Sequence, residues 1–223
     1  MALFLQWGGS FPETRSMDNT FLKTINTSKK LLYIPTAMIG SFTYEECYAY
    51  LSGIIENLAP DLSIEMVDEL EKLKNKDLFE YGGIYIWGGN TFRLLYLLRK
   101  YRIHERLVDY LNSNGSICWG SAGAIIFGEN IHTSPDANIT NLQDTTGLQQ
   151  GKGHSFWCHY KEKHNQQIQE YVKYHDVPVI ALPENAGLKI DKNKILSIWE
   201  GPVTLFQQNK KTSYKPWKIL FWW

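Results

Sequence analysis

The residues best suited to chemistry lie where an apolar run stops at Trp119-Gly120-Ser121-Ala122-Gly123. A serine hydroxyl is a weak nucleophile, and it becomes useful when a tight strand-to-helix turn exposes it beside a base and near backbone N–H groups. Small residues at Ala122 and Gly123 suit such a turn, and the N–H of Ala122 would point at a developing oxyanion near a helix N-terminus. The same serine would serve equally well as a helix N-cap. Trp119 also departs from the general Gly-x-Ser-x-Gly elbow, because it stands two before the serine, where glycine relieves crowding. The turn alone leaves both roles open.

A base and an orienting carboxylate must come from elsewhere in the chain. Of the six histidines, His104 and His175 read as surface groups, and His132 and His154 as satisfied polar residues or supporting contacts. His164 falls in a charged stretch with the form of a solvated helix face. His159 follows the apolar run Phe156-Trp157-Cys158 at a strand end, where a general base would be held rigidly. Glu184 follows Val179 to Pro183 at another strand end, and reads either as the carboxylate that orients the base or as an exposed loop residue. Cys118 sits within an apparent strand and reads as a packed core thiol. The three cysteines, Cys47, Cys118 and Cys158, have no Cys-x-x-Cys spacing, so neither a disulfide framework nor a metal site is expected. No Gly-x-Gly-x-x-Gly or P-loop run is present, and no cofactor is expected. A reducing cytoplasm fits this cysteine usage.

The elements that must position these groups alternate short apolar runs with amphipathic segments, the pattern of a parallel sheet covered on both faces. Strands are expected at Leu3 to Trp7 (ending in Gly8-Gly9), Leu31 to Ile34, Leu62 to Val67, Ile84 to Trp87 and Ile117 to Trp119. Helices are expected at Pro12 to Asn26, Thr43 to Asn57, Thr91 to Tyr101 and His104 to Asn112, with a capping box between Thr43 and Glu46. Ala124 to Phe127 should continue the serine turn as a buried helix. Four later runs, Val177 to Leu182, Gly187 to Ile190, Ile195 to Trp199 and Val203 to Gln207, predict an antiparallel meander or edge extension. The fold class is three-layer α/β/α with a mostly parallel sheet.

At 223 residues the chain suits one domain. Its 23 basic and 23 acidic side chains balance, which argues against a nucleic-acid partner. The apolar opening lacks a basic leader and is too short for a membrane span, so it reads as a buried first strand. Residues 1–209 form the expected domain. Residues 210–223 are basic and then aromatic, and a tail docked on that domain is expected in preference to a membrane or partner anchor.

Four segments in order resemble the dipeptidase E (alpha-aspartyl dipeptidase) and cyanophycinase family of serine peptidases, which has the class I glutamine-amidotransferase-like fold. They are Ile84 to Phe92 with its Gly88-Gly89-Asn90-Thr91 loop, Gly120-Ser121-Ala122-Gly123, Phe156 to Tyr160, and Ala181 to Asn185. The resemblance implies that Ser121 attacks a peptide carbonyl, His159 shuttles the proton and Glu184 holds the imidazole. It further implies an oxyanion hole of Gly89 and Ala122 N–H groups, with Gly88 and Asn90 beside the substrate. Asp136 falls where the family carries an aspartate of the relay or substrate site. The implied ligand is a small peptide, with no membrane or nucleic-acid partner, and a homodimer stays open. Members that cleave after aspartate use an arginine for the substrate carboxylate; Lys161 to Ile168 contains none. An isopeptide, ester or amide substrate, or a binding module whose serine is crowded by Trp119, are the other readings.

Overall fold

The computed structural model describes residues 2–6, 14–38, 41–192 and 194–222. Trp7, Gly8, Gly9, Pro12 and Glu13, at the expected end of the first strand and start of the first helix, lie outside them. The first half runs β1 (Ala2–Gln6), α1 (Arg15–Leu22), β2 (Leu31–Ile34), α2 (Tyr44–Leu58), β3 (Ile64–Met66), β4 (Gly83–Ile86), α3 (Thr91–Lys100) and α4 (Ile103–Asn112). Next come β5 (Ser116–Gly120), α5 (Ala122–Ile125), β6 (Ser155–Trp157), α6 (Asn165–His175) and β7 (Val179–Ala181). The chain continues through β8 (Ala186–Ile190), β9 (Lys194–Trp199), β10 (Val203–Gln207), β11 (Lys210–Tyr214) and β12 (Ile219–Trp222).

Among the described residues, an eight-stranded sheet has the order β12-β9-β8-β1-β5-β4-β2-β3. Its β1, β5, β4, β2 and β3 are mutually parallel, and β8, β9 and β12 extend it antiparallel. Alternation along the strands sends Leu5, Ile34, Ile86 and Trp119 to one face, where residues of α3 and α4 such as Leu94, Leu98 and Leu107 cover them. Phe4, Tyr33, Tyr85 and Cys118 face the other way onto Met17 and Phe21 of α1 and Leu51 and Ile55 of α2. Both faces are buried, which is why these strands read as continuous apolar runs. The start of α2 is set locally: Thr43 accepts a hydrogen bond from the Glu46 N–H, and the Glu46 carboxylate accepts one from the Thr43 N–H at 2.8 Å.

The later strands do not form one meander. A second, four-stranded sheet, β11-β10-β7-β6, lies on the α3/α4 side, with Phe156, Ile180 and Leu205 in the central core. Its other face, carrying Trp157, Val179 and Phe206, packs on Ile168, Tyr171 and Val172 of α6. After β7 the chain turns at Pro183, where its carbonyl accepts from the Ala186 N–H at 3.1 Å, and β8 returns to pair with β1. Residues 210–214 pair with β10, and residues 219–222 with β9. The expected buried helix through Phe127 is also shorter, since α5 stops at Ile125 and the chain turns at Gly128. No helix among the described residues is long and apolar enough to cross a membrane.

Candidate active site

Ser121 follows β5 directly and opens α5 with φ 50° and ψ −113°. A non-glycine residue in that region is strained, and it holds the pose because both flanks are fixed. On one flank β5 is paired with β1 and β4. On the other, Gly123 is packed so closely that a Cβ there would stand 2.7 Å from the Trp119 ring. Trp119 itself is fully buried and packs edge-on against Phe127 at 4.3 Å, so its ring lies under α5 within the core. Glycine two after the serine thus makes the room that the usual elbow finds two before it.

The Ser121 Oγ lies 2.9 Å from His159 Nε2, and His159 Nδ1 lies 3.4 Å from Glu184 Oε1. His159 and Glu184 come from the second sheet, just beyond the parallel strands β6 and β7. The pairing continues past both strands: the Leu182 N–H donates to the Trp157 carbonyl at 2.8 Å, and the Tyr160 N–H to the Leu182 carbonyl at 3.0 Å. That ladder sets the spacing between base and carboxylate, and His159 turns out of it at φ 55°. Both side chains are partly exposed, at 45% each, so the cluster opens to solvent. Glu184 Oε2 is buried, with no hydrogen-bond partner among the described residues.

Cys158, absent from the sequence-based set, joins the two halves. Its thiol donates to the Ser121 carbonyl at 3.6 Å. Burial, reinforced by the Glu184 carboxylate, pushes the thiol well above its ordinary range, so it stays a neutral donor. Its position next to His159 was the available signal. Cys118 is buried within β5 and likewise held protonated.

The Gly88-Gly89-Asn90 loop follows β4 and meets the serine turn. A Cβ on Gly88 would stand 3.0 Å from that of Ser121, and Gly89 has φ +123° against the Ala37 carbonyl. Asn90 caps α3: its Oδ1 accepts from the Arg93 N–H at 2.9 Å, and its Nδ2 donates to the Ala137 carbonyl at 2.9 Å. Ala122 is buried at the first position of α5. Asp136 stands at the start of α3, where its Oδ2 accepts from the Thr91 N–H and hydroxyl, both at 2.7 Å, and from the Ser134 hydroxyl at 2.9 Å. These contacts tie the 134–137 segment to the glycine loop.

The remaining histidines stand apart from this cluster in their contacts. His132 bonds Thr145 and stacks on His175, and the buried His154 bonds the Gly151 and Lys152 carbonyls. Among the described residues no group of three or more His, Cys, Asp or Glu converges as a metal site.

The sequence model of peptidase family S51 matches residues 3–198. A peptidase E of Shewanella putrefaciens (strain CN-32 / ATCC BAA-453) is 29% identical over 201 residues, spanning 83% of this chain and 81% of its own. A crystal structure of a peptidase from an acI-B1 Actinobacterium is similar with a TM-score of 0.77 at 17% identity, over 99% of this chain and 96% of that one. A peptidase E candidate from Listeria monocytogenes EGD-e, solved at 1.5 Å, gives a TM-score of 0.71 at 22% identity, over 90% of this chain and 98% of the other. These two structures share the fold.

Proposed function

The chain belongs to peptidase family S51 and is a serine peptidase, and on that premise we propose that it cleaves dipeptides or short peptides through an acyl-enzyme formed on Ser121. The observation that carries this reading is the 2.9 Å contact between Ser121 Oγ and His159 Nε2, with Glu184 behind the imidazole. As Oγ bonds to the scissile carbonyl carbon, its proton passes to His159 Nε2. The carbonyl oxygen becomes an oxyanion held by the N–H groups of Gly89 and Ala122, each such donor contributing about 3 kcal/mol in the transition state. His159 then returns the proton to the leaving amine as the C–N bond breaks. A water, deprotonated by the same nitrogen, splits the ester and restores Ser121.

Glu184 keeps Nδ1 protonated and stabilises the imidazolium. Its 3.4 Å separation is long for such a bond, and catalytic contacts of this kind shorten in the substrate complex. Asp136 acts as a positioning residue, fixing Thr91 and with it the glycine loop. The reading in which a crowded Trp119 leaves the serine unreactive loses its support, because that ring lies in the core under α5.

A fluorophosphonate probe tests the proposal. Wild-type protein should be labelled at Ser121 and hydrolyse peptides, and Ser121→Ala should lose both. Peptide hydrolysis that survives in folded Ser121→Ala would overturn it.

A further inference from the structure

Beside the glycine loop, at the carboxyl ends of β2 and β4, lies a cavity of about 360 Å³ that the mechanism above does not use. Tyr33, Met38, Phe42, Cys47, Tyr50 and Trp87 form its walls, with Glu46 at its edge. We propose that this cavity binds the side chain of the substrate residue whose carbonyl is attacked, and that it selects a bulky apolar or aromatic group over a charged one. The proposal rests on the serine reading above and adds the substrate class to it.

Position is the first argument. Trp87 immediately precedes Gly88, and Met38 follows Ala37, whose carbonyl accepts from the Asn90 N–H at 3.2 Å. The cavity wall is therefore continuous with the loop expected to hold the oxyanion. Tyr33 lies on the α1/α2 face of the central sheet, with Met38 and Trp87 packed against that face, whereas His159 reaches the serine from the second sheet on the opposite face. A peptide whose leaving amine meets His159 thus directs its acyl side chain toward the cavity.

Chemistry is the second. Trp87 lies 4.3 Å from the Tyr50 ring and stacks on Tyr85 at 6.0 Å, giving a rigid aromatic wall. Among the described lining residues there is no Lys or Arg, and the one carboxylate, Glu46, already accepts from the Thr43 N–H. An aspartate side chain entering here would lose its hydration and meet a like charge. Phe42 stands at this cavity 54% exposed, a large apolar surface that an occupant would cover. The buried Tyr33 hydroxyl has no partner among the described residues, which leaves one neutral polar position at the inner wall.

The test measures both binding and turnover. Calorimetry on Ser121→Ala compares phenylalaninamide, alaninamide, lysinamide and aspartic acid α-amide, and wild-type protein is assayed on Phe-Ala, Ala-Ala, Lys-Ala and Asp-Ala. Phenylalaninamide should bind at least about tenfold tighter than the other three, and Phe-Ala should show a similar margin in kcat/KM, as expected for filling an apolar pocket. Cys47→Phe, which fills the cavity, should collapse that preference. Tyr50→Ala, which removes a wall, should lower it and stands in if the first variant does not fold. Equal handling of the four side chains, or a preference unmoved in a folded variant, would overturn the pocket while leaving the serine reading intact. Preferential binding without hydrolysis of any dipeptide would uphold the pocket and sink the serine reading.

Discussion

Gly88 and Ser121 meet without room for a side chain between them: a Cβ on Gly88 would stand 3.0 Å from the Ser121 Cβ and 3.2 Å from the Gly120 carbonyl oxygen. Any outward shift of the loop moves Gly89 relative to the serine. Gly88→Ala should therefore lower kcat/KM by about 10- to 100-fold through misplacement of the reacting groups. Its urea midpoint should stay near that of wild type.

Gly89→Ala should fail differently. The new Cβ would fall 1.9 Å from the Ala37 carbonyl oxygen at a φ of +123°, so the backbone itself must move. A loss of at least about 3 kcal/mol of stability is expected, measurable by denaturant unfolding. A stable Gly89→Ala protein would mean that the loop has another conformation available.

His159→Ala should cost roughly 10⁶-fold in kcat, and Glu184→Gln about 10⁴-fold, since the third member of such a triad orients the base and fixes its tautomer. Both variants should keep the wild-type melting temperature, because both side chains are nearly half exposed. Steady-state kinetics with a melting curve checks this. Loss of only a few-fold in His159→Ala would remove it from the proton path.

Asp136→Ala should destabilise by about 1–2 kcal/mol, because it strips the N-terminus of α3 of a carboxylate that accepts three hydrogen bonds. If Asp136 acts by positioning, Asp136→Asn should recover part of both stability and activity. An aspartate that bound the substrate ammonium directly would instead raise KM in the Asn variant with no change in stability.

The elements that carry these residues were legible because they are set locally, whereas the roles expected of Ser121, His159 and Glu184 came from the resemblance of four ordered segments. The strand end before Ser121, the capping box of Thr43 and Glu46, and the strand ends before His159 and Glu184 are all set within a few residues. The second sheet was not legible. Its strands β6 and β7 span three residues each, and nothing near Val179 or Ala186 states that one joins β6 and the other β1. Those choices are made by pairing across the molecule, in competition for buried faces. The cavity escaped for a related reason, since Trp87 is brought from a distant strand end against walls drawn from residues 33–50. Cys158 and the Thr91–Ser134–Asp136 network were hidden because hydrogen bonds between distant residues leave no periodic trace.

Asp18 offers a pH test unconnected with catalysis. It is buried on α1, and desolvation raises its pKa from the ordinary value of 3.8 to about 6, only partly offset by the hydrogen bond that the Tyr85 hydroxyl donates at 3.1 Å. Because the folded-state value is raised, the unfolded chain ionises first as pH rises. Stability therefore falls between about pH 4 and pH 6 and stays lowered above that. Asp18→Asn should be more stable than wild type at pH 7–8 by on the order of 2–3 kcal/mol, with the gain vanishing toward pH 4. Parallel unfolding curves across that range decide it.

The serine belongs to one sheet, and the histidine and glutamate to another that packs on it. Catalysis consequently doubles as a gauge of sheet-on-sheet registry. A slip of about 1 Å between the layers breaks the 2.9 Å contact while every strand keeps its own ladder. Gentle heating should silence turnover before circular dichroism reports any loss of secondary structure, and substitutions at Phe156, Ile180 or Leu205, remote from the substrate, should behave as activity mutants first and stability mutants second.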